Sequence, residues 1–227
     1  AVAEEIMIYR DIALAELTGG KVHILHVSSA GAVELIRQGK ARGVNVTGEA
    51  CPHHFTLTDE TLTTFDSNYK MAPPLRTQAD VDAIREGLAD GTIDAIATDH
   101  APHARQEKDL EFDNAAFGMV GLETALPLCL RLVEDGTMTL VQLVDRLTAG
   151  PARCFGLSSG TLAPGAIADV AVFDPARRWV VGPETLTSRS KNSPFLGWQL
   201  SGRVALTLLG GRVVHDELPP SPTQGRS

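Results

Sequence analysis

Hydrophobic and polar positions alternate along this chain with two different periods. Residues 3–17 (AEEIMIYRDIALAEL) place Ile6, Tyr9, Ala13 and Leu17 at helical spacing, and Gly19-Gly20 ends the run, which predicts a helix. The apolar run VHILHV (22–27) predicts a buried strand. Ser28-Ser29 then supplies a cap for the helix AGAVELIRQGKARG, with Val33 and Ile36 on one face. VNVTGEA (44–50) and IDAIATD (93–99) predict two further strands. Between them Thr77 and Asp80 open VDAIREGLADG in the manner of a capping box. Amphipathic helices are predicted over 120–134 and 139–148.

Helices alternating with near-continuously apolar strands predict an α/β fold, a parallel sheet covered by helices. After about residue 157 the period changes. GTLAPGAIADVAVFDP (160–175) and GRVALTLLGGRVVHDE (202–217) are β-rich with Gly and Pro turns, and LLGGRVV predicts a hairpin through Gly210-Gly211. The expected division is an α/β unit over 1–157, a β segment over 158–218 and a disordered Pro- and Ser-rich tail over 219–227.

Length and composition narrow the function. The 227 residues fall short of a complete (β/α)8 barrel, which takes ~250. The chain begins with Ala inside a helical pattern, so it is expected to be part of a longer protein. A net charge of −8 argues against nucleic-acid or membrane-surface partners, and no apolar run reaches the ~20 residues of a membrane span. Cys51, Cys129 and Cys154 lack metal-type spacing and read as free thiols of a reducing cytoplasm.

Six of the seven histidines fall in three clusters, His23/His26, His53/His54 and His100/His103. His26 and Asp99 both sit at predicted C-terminal strand ends, the rim where parallel α/β folds bind ligands. Imidazole and carboxylate converging there suit Zn²⁺ or a similar first-row ion. Strand alternation turns His23 to the face opposite His26, a structural position. In ATDHAPH (97–103), Asp99 could accept a proton from metal-activated water and His103 could face an anionic substrate. Adjacent His53 and His54 point in different directions and read as structural, and Cys51 as a small buried residue. Gly118 and Gly121 would let backbone approach a ligand, although a plain turn explains them equally.

HVSSAGAVELIR, TGEACPHHFTLTDE, YKMAPPLR, GTIDAIATDHAPHARQEK and FGMVGLETALPL, in this order, closely resemble the bacterial class I dihydroorotases of the amidohydrolase superfamily. The resemblance runs from residue 1 to about 215, and Glu107-Lys108 after ATDHAPH separates it from the hydantoinases. It implies a fold: the C-terminal part of a (β/α)8 TIM-type barrel, about strands six to eight, plus segments of a small β-sandwich. It also implies a reaction, the reversible hydrolysis of (S)-dihydroorotate to N-carbamoyl-L-aspartate in pyrimidine biosynthesis, with one or two zinc ions.

By the same resemblance, His26 is a metal ligand and Asp99 both metal ligand and general base. His103 binds substrate, together with the Phe117-Gly118 backbone. Ala72 stands where many relatives carry an Asn that contacts substrate. The family's His-x-His pair, bridging carboxylate and strand-five histidine have no counterpart, so the isolated chain is expected to be inactive. A homodimer or a complex with aspartate transcarbamoylase is the implied assembly, in the cytoplasm. Two other readings stay open: a hydantoinase- or allantoinase-like enzyme, and a non-catalytic homologue scaffolding aspartate transcarbamoylase.

Overall fold

The two sequence periods sort into two sheets. The computed structural model describes residues 1–218, so the tail expected over 219–227 lies outside the described residues. Lys21–Ile24 (β1), Asn45–Ala50 (β2) and Ala95–Ile96 (β3) form a parallel sheet in the order β1-β2-β3. Val2–Thr18 (α1), Ala30–Ala41 (α2) and Gln78–Asp90 (α3) are its helices. Then follow a short turn of helix, Arg105–Lys108 (α4), and Leu122–Glu134 (α5), Leu140–Leu147 (α6) and Ala149–Phe155 (α7). α7 lies beyond the helices that the sequence pattern predicts; Pro151 sits in its first turn, where the missing N–H is tolerated.

Local chemistry starts these helices as the sequence suggests. Ser29 caps α2 by accepting from the Ala32 N–H at 3.2 Å. The Asp80 carboxylate accepts from the Thr77 N–H at 3.1 Å and the Thr77 hydroxyl at 2.7 Å at the start of α3. One core gathers Ile8 and Ile12 of α1, Val33 and Ile36 of α2, and Ile84 and Leu88 of α3. The face of α1 differs from the one the spacing suggested: Ile6, Tyr9 and Leu17 are exposed, while Ile8, Ile12 and Ala15 are buried. The helix is apolar on both sides, so period alone cannot choose the inward stripe.

Val170–Val180 (β4), Gln199–Leu209 (β5) and Arg212–Asp216 (β6) form the antiparallel sheet. The β-rich stretch expected from 160 becomes a strand only at Val170, and its pairing with β5 slips between Asp174 and Arg178, around Pro175. The hairpin turn is Gly210-Gly211, with φ of 55° and 78°, the pair of positive values that a tight two-residue turn needs. A second core, with Met71, Met119, Leu128, Val181, Phe195 and Leu200, joins this sheet to α5. No helix among the described residues is long and apolar enough to cross a membrane.

Candidate active site

The site forms where the parallel strands run out. Past the ends of β1 and β3, His26 and Asp99 take left-handed backbone conformations, φ 50° and 46°. Such conformations disfavour most L-residues by roughly 1–2 kcal/mol, with His and Asp among the types that adopt them. The turn brings His26 Nε2 to 3.7 Å from Asp99 Oδ1.

Glu49, on β2 between them, is the residue sequence reasoning left without a role. Its Oε1 lies 3.1 Å from His26 Nδ1 and its Oε2 lies 3.2 Å from His23 Nε2. His23 Nδ1 reaches Thr47 Oγ1 at 2.7 Å. His23 and His26 therefore meet on one carboxylate rather than facing opposite ways. Strand alternation holds only to Ile24, and the left-handed turn at His26 breaks it.

Burial alone would push Glu49 up, but the hydrogen bonds from His23 and His26 hold it down at about 2. The bond to Glu49 raises His26 despite partial burial, with Asp99 adding to the effect. Burial raises Asp99, as does the nearby Glu49 charge, while His26 opposes both.

This geometry fits a metal ligand pair. With Glu49 on Nδ1, His26 keeps its proton there and turns the Nε2 lone pair toward Asp99. The 3.7 Å gap is too long for a hydrogen bond and close to the roughly 3.3–3.5 Å that separates two donors sharing a tetrahedral zinc. Catalytic zinc takes about three protein ligands, so a pair of this kind could supply only part of a set.

The loop after Asp99 builds the second half of the site. His103 Nε2 lies 2.8 Å from the Phe117 carbonyl, and the His103 N–H donates to Asn192 Oδ1 at 3.2 Å. Asn192 Nδ2 in turn donates to the carbonyls of Ala101 at 3.0 Å and Gly118 at 3.2 Å. Gly118 has φ 107°, and a Cβ there would lie 2.5 Å from the Ala101 Cβ, so only glycine lets these segments touch. Gly118 N–H donates to the Lys70 carbonyl at 2.8 Å, and Lys70 Nζ sits 4.4 Å from the Phe117 ring centre.

His103, Lys108, Lys191 and Asn192 border a cavity of about 400 Å³. Arg105 and Arg189 on its rim, against Asp109, suit an anion, whereas Lys108 Nζ donates to the Ala116 and Gly118 carbonyls and Lys191 Nζ to those of Leu186 and Ser188. Burial lowers Lys108 to about 8.

The structure thus joins His26 to Asp99, and His103 to Phe117 and Gly118, with Asp99 and His103 on one loop. Ala72 stands apart: it is exposed, in the loop whose Pro73 carbonyl bonds His54 Nε2 at 2.9 Å. Asn192 escaped sequence reasoning because nothing in KNSPF distinguishes it, and it reaches the loop from about ninety residues away.

The amidohydrolase family signature matches residues 2–214. The chain belongs to the amidohydrolase family. Among curated amidohydrolases it is 58% identical over 217 residues to the dihydroorotase of Anaeromyxobacter dehalogenans, covering 95% of this chain and 50% of that protein. It is 54% identical over 215 residues to the dihydroorotase of Syntrophus aciditrophicus, with the same two shares. The chain therefore spans about half the length of the curated relatives it matches. The L-hydantoinase (dihydropyrimidinase) of Arthrobacter aurescens superposes with a TM-score of 0.88 at 32% identity, over 94% of this chain and 49% of that one. The D-hydantoinase of Bacillus sp. AR9 superposes with the same score at 29% identity, over the same two shares.

Proposed function

We propose that this chain supplies one half of a zinc-dependent dihydroorotase, with β1, β2 and β3 as barrel strands six to eight and the β-sandwich segment beginning after residue 157. The observation that carries the reading is the His26–Asp99 pair, held 3.7 Å apart at the strand ends with Glu49 behind the imidazole. The 58% identity to a dihydroorotase, against 32% to a hydantoinase, favours dihydroorotate over hydantoin as substrate.

The chemistry divides among named groups. His26 Nε2 and Asp99 would hold zinc with ligands from outside this chain. When bound, the ion supplies a Lewis acid that polarises the ring carbonyl and acidifies water. Asp99 takes a proton from the attacking water at a carboxylate oxygen and returns it to the departing amide nitrogen. Glu49 fixes the His26 tautomer and ring orientation. His103 and the Phe117-Gly118 backbone orient the substrate carboxylate, with the cationic cavity rim drawing the anion in. Ala72 stands apart from this side, and its methyl side chain offers a substrate no hydrogen bond.

A chimera tests the assignment: residues 1–218 replace the matching half of the Anaeromyxobacter dehalogenans dihydroorotase. It is expected to hydrolyse dihydroorotate and not hydantoin, and Asp99→Asn is expected to lower kcat at least 10²-fold. The 227-residue chain alone, loaded with zinc, is expected to show no turnover. A chimera that hydrolyses hydantoin in preference overturns the substrate assignment. Full turnover by Asp99→Asn overturns the base.

A further inference from the structure

The turn after β2 holds a cluster that the proposed hydrolysis does not use. Adjacent histidines ordinarily point apart, but here the chain doubles back: the His54 N–H donates to the Cys51 carbonyl at 2.9 Å and the Leu57 N–H to the His53 carbonyl at 3.0 Å. The two imidazole rings end 4.2 Å apart. One donor atom each from Cys51, His53 and His54 lies within 4.8 Å of the others, and all three residues are buried. Among the described residues this is the one group of three such side chains so placed.

The lone pairs make it a site rather than a coincidence of packing. His54 Nε2 donates to the Pro73 carbonyl at 2.9 Å, which leaves Nδ1 as a bare acceptor, and that atom is buried without a partner. Both ring nitrogens of His53 are likewise buried without a partner among the described residues, so one lone pair is bare in either tautomer. Buried polar atoms are nearly always paired, and two orphaned imidazoles beside a thiol ask for a cation.

We propose that Cys51, His53 and His54 form a binding site for a thiophilic univalent d¹⁰ ion, copper(I). Thiolate and imidazole are the soft and borderline ligands such an ion takes. Charge selects it over a divalent ion: one thiolate and one Cu⁺ with two neutral imidazoles make a neutral complex, whereas a divalent ion leaves a net charge buried. Binding forms a Cu–S bond and releases the thiol proton to solvent, with no change of oxidation state. The site adjoins the His26–Asp99 pair without sharing it, since Cys51 Sγ lies 3.5 Å from His26 Nδ1, the nitrogen turned away from Asp99.

The test titrates the purified chain anaerobically with copper(I) in competition with a chromophoric copper(I) chelator, with EDTA present. One equivalent is expected to bind, with X-ray absorption showing one sulfur and two nitrogen neighbours. Cys51→Ser is expected to weaken binding at least 100-fold and His54→Gln at least 10-fold, while Cys129→Ser binds as the parent does. Absence of sulfur from the copper shell, or equal affinity in the parent and Cys51→Ser, overturns the site. Should Cys51→Ser fail to fold, the absorption spectrum of the parent and the His54→Gln affinity decide alone.

Discussion

The strands of the parallel sheet are four, six and two residues long, and those of the antiparallel sheet eleven, eleven and five. Yet the short sheet carries the proposed metal pair. Its strands and the loops leaving them are covered by α1, α2 and α3, with Val27, Ile36, Ile84 and Leu88 completely buried. β6 is exposed at every residue, and β4 nearly so. Backbone hydrogen bonds are plentiful in the antiparallel sheet, but they do not hold a side chain against solvent. Its charged group, Arg177, Arg203 and His215 around Glu217, lies at the open edge, where ion pairs contribute little. A strained His26 and Asp99 persist only because a packed core over-determines them.

Truncating one side chain in each sheet's layer is the most forceful way to break this contrast. Ile84→Ala empties a fully buried position and is expected to cost roughly 2–5 kcal/mol. Val213→Ala, on the exposed β6, is expected to stay within about 0.5 kcal/mol. Urea unfolding of both variants checks this, and equal losses would mean that the two sheets are held alike.

Acid should find the rim before the antiparallel sheet. Burial lowers His54 to about 4 from 6.5, and it lowers His53 as well. Between those two pH values the unfolded chain binds the proton and the folded chain does not. The His54 contribution is therefore full above about pH 6.5 and lost as pH falls toward 4, about 3 kcal/mol in all. Glu49, held at about 2, loses its contribution as pH falls further, from about 4.5 downward. His26 runs the other way: its raised value gives stability that is full below about 6.5 and fades as pH rises through the folded value. Urea midpoints in EDTA from pH 7 to 4.5 should fall, and His54→Gln should flatten the slope. A slope that His54→Gln leaves unchanged would assign the acid loss elsewhere.

The same contrast decides what was legible in sequence. His26 and Asp99 stood out because each closes an apolar run, and strand ends of a parallel sheet are where loops converge. The hairpin was legible because Gly210-Gly211 permits the turn's dihedral angles. Glu49 was not: its role depends on two histidines meeting it across β1 and β2, a register that no period encodes. The inward face of α1 was misread because Ile6 and Ile8 compete on equal terms, and only packing against α2 chooses. His53 and His54 read as pointing apart because the tight turn after Cys51 leaves no mark in spacing.

Glu49→Gln sharpens the contrast at the level of single contacts. The amide keeps the size but loses the charge that orients His26, so zinc affinity of the chimera is expected to fall 10–100-fold. Competition with a zinc chelator measures it, and the ¹⁵N shifts of the His26 ring should show a mixed tautomer. Glu217→Gln in the half-buried charge group should change neither. Unaltered zinc affinity in Glu49→Gln would reduce Glu49 to a packing role.

The smallest effect separates two aspartates that each accept backbone hydrogen bonds. Asp80 takes the Ala30 N–H at 2.8 Å on Oδ1 and both Thr77 donors on Oδ2, so one carboxylate ties the N-terminus of α3 to that of α2, four residues along the chain from His26. Partial burial works to raise it, and the bonds from Thr77 and Ala30 outweigh that and keep it lowered. Asp169 takes only the Gly210 N–H at 2.7 Å, in the open near the hairpin. Asp80→Ala is expected to cost about 1 kcal/mol and Asp169→Ala within about 0.5 kcal/mol, because water replaces the lost acceptor freely only at the exposed site. Paired urea unfolding at pH 7 resolves the difference. If Asp80→Ala also lowers zinc affinity of the chimera, the helix start positions His26, since Asp80 touches no ligand itself. If it costs stability alone, the left-handed turn at His26 is held by β1 and Glu49 without help from α2.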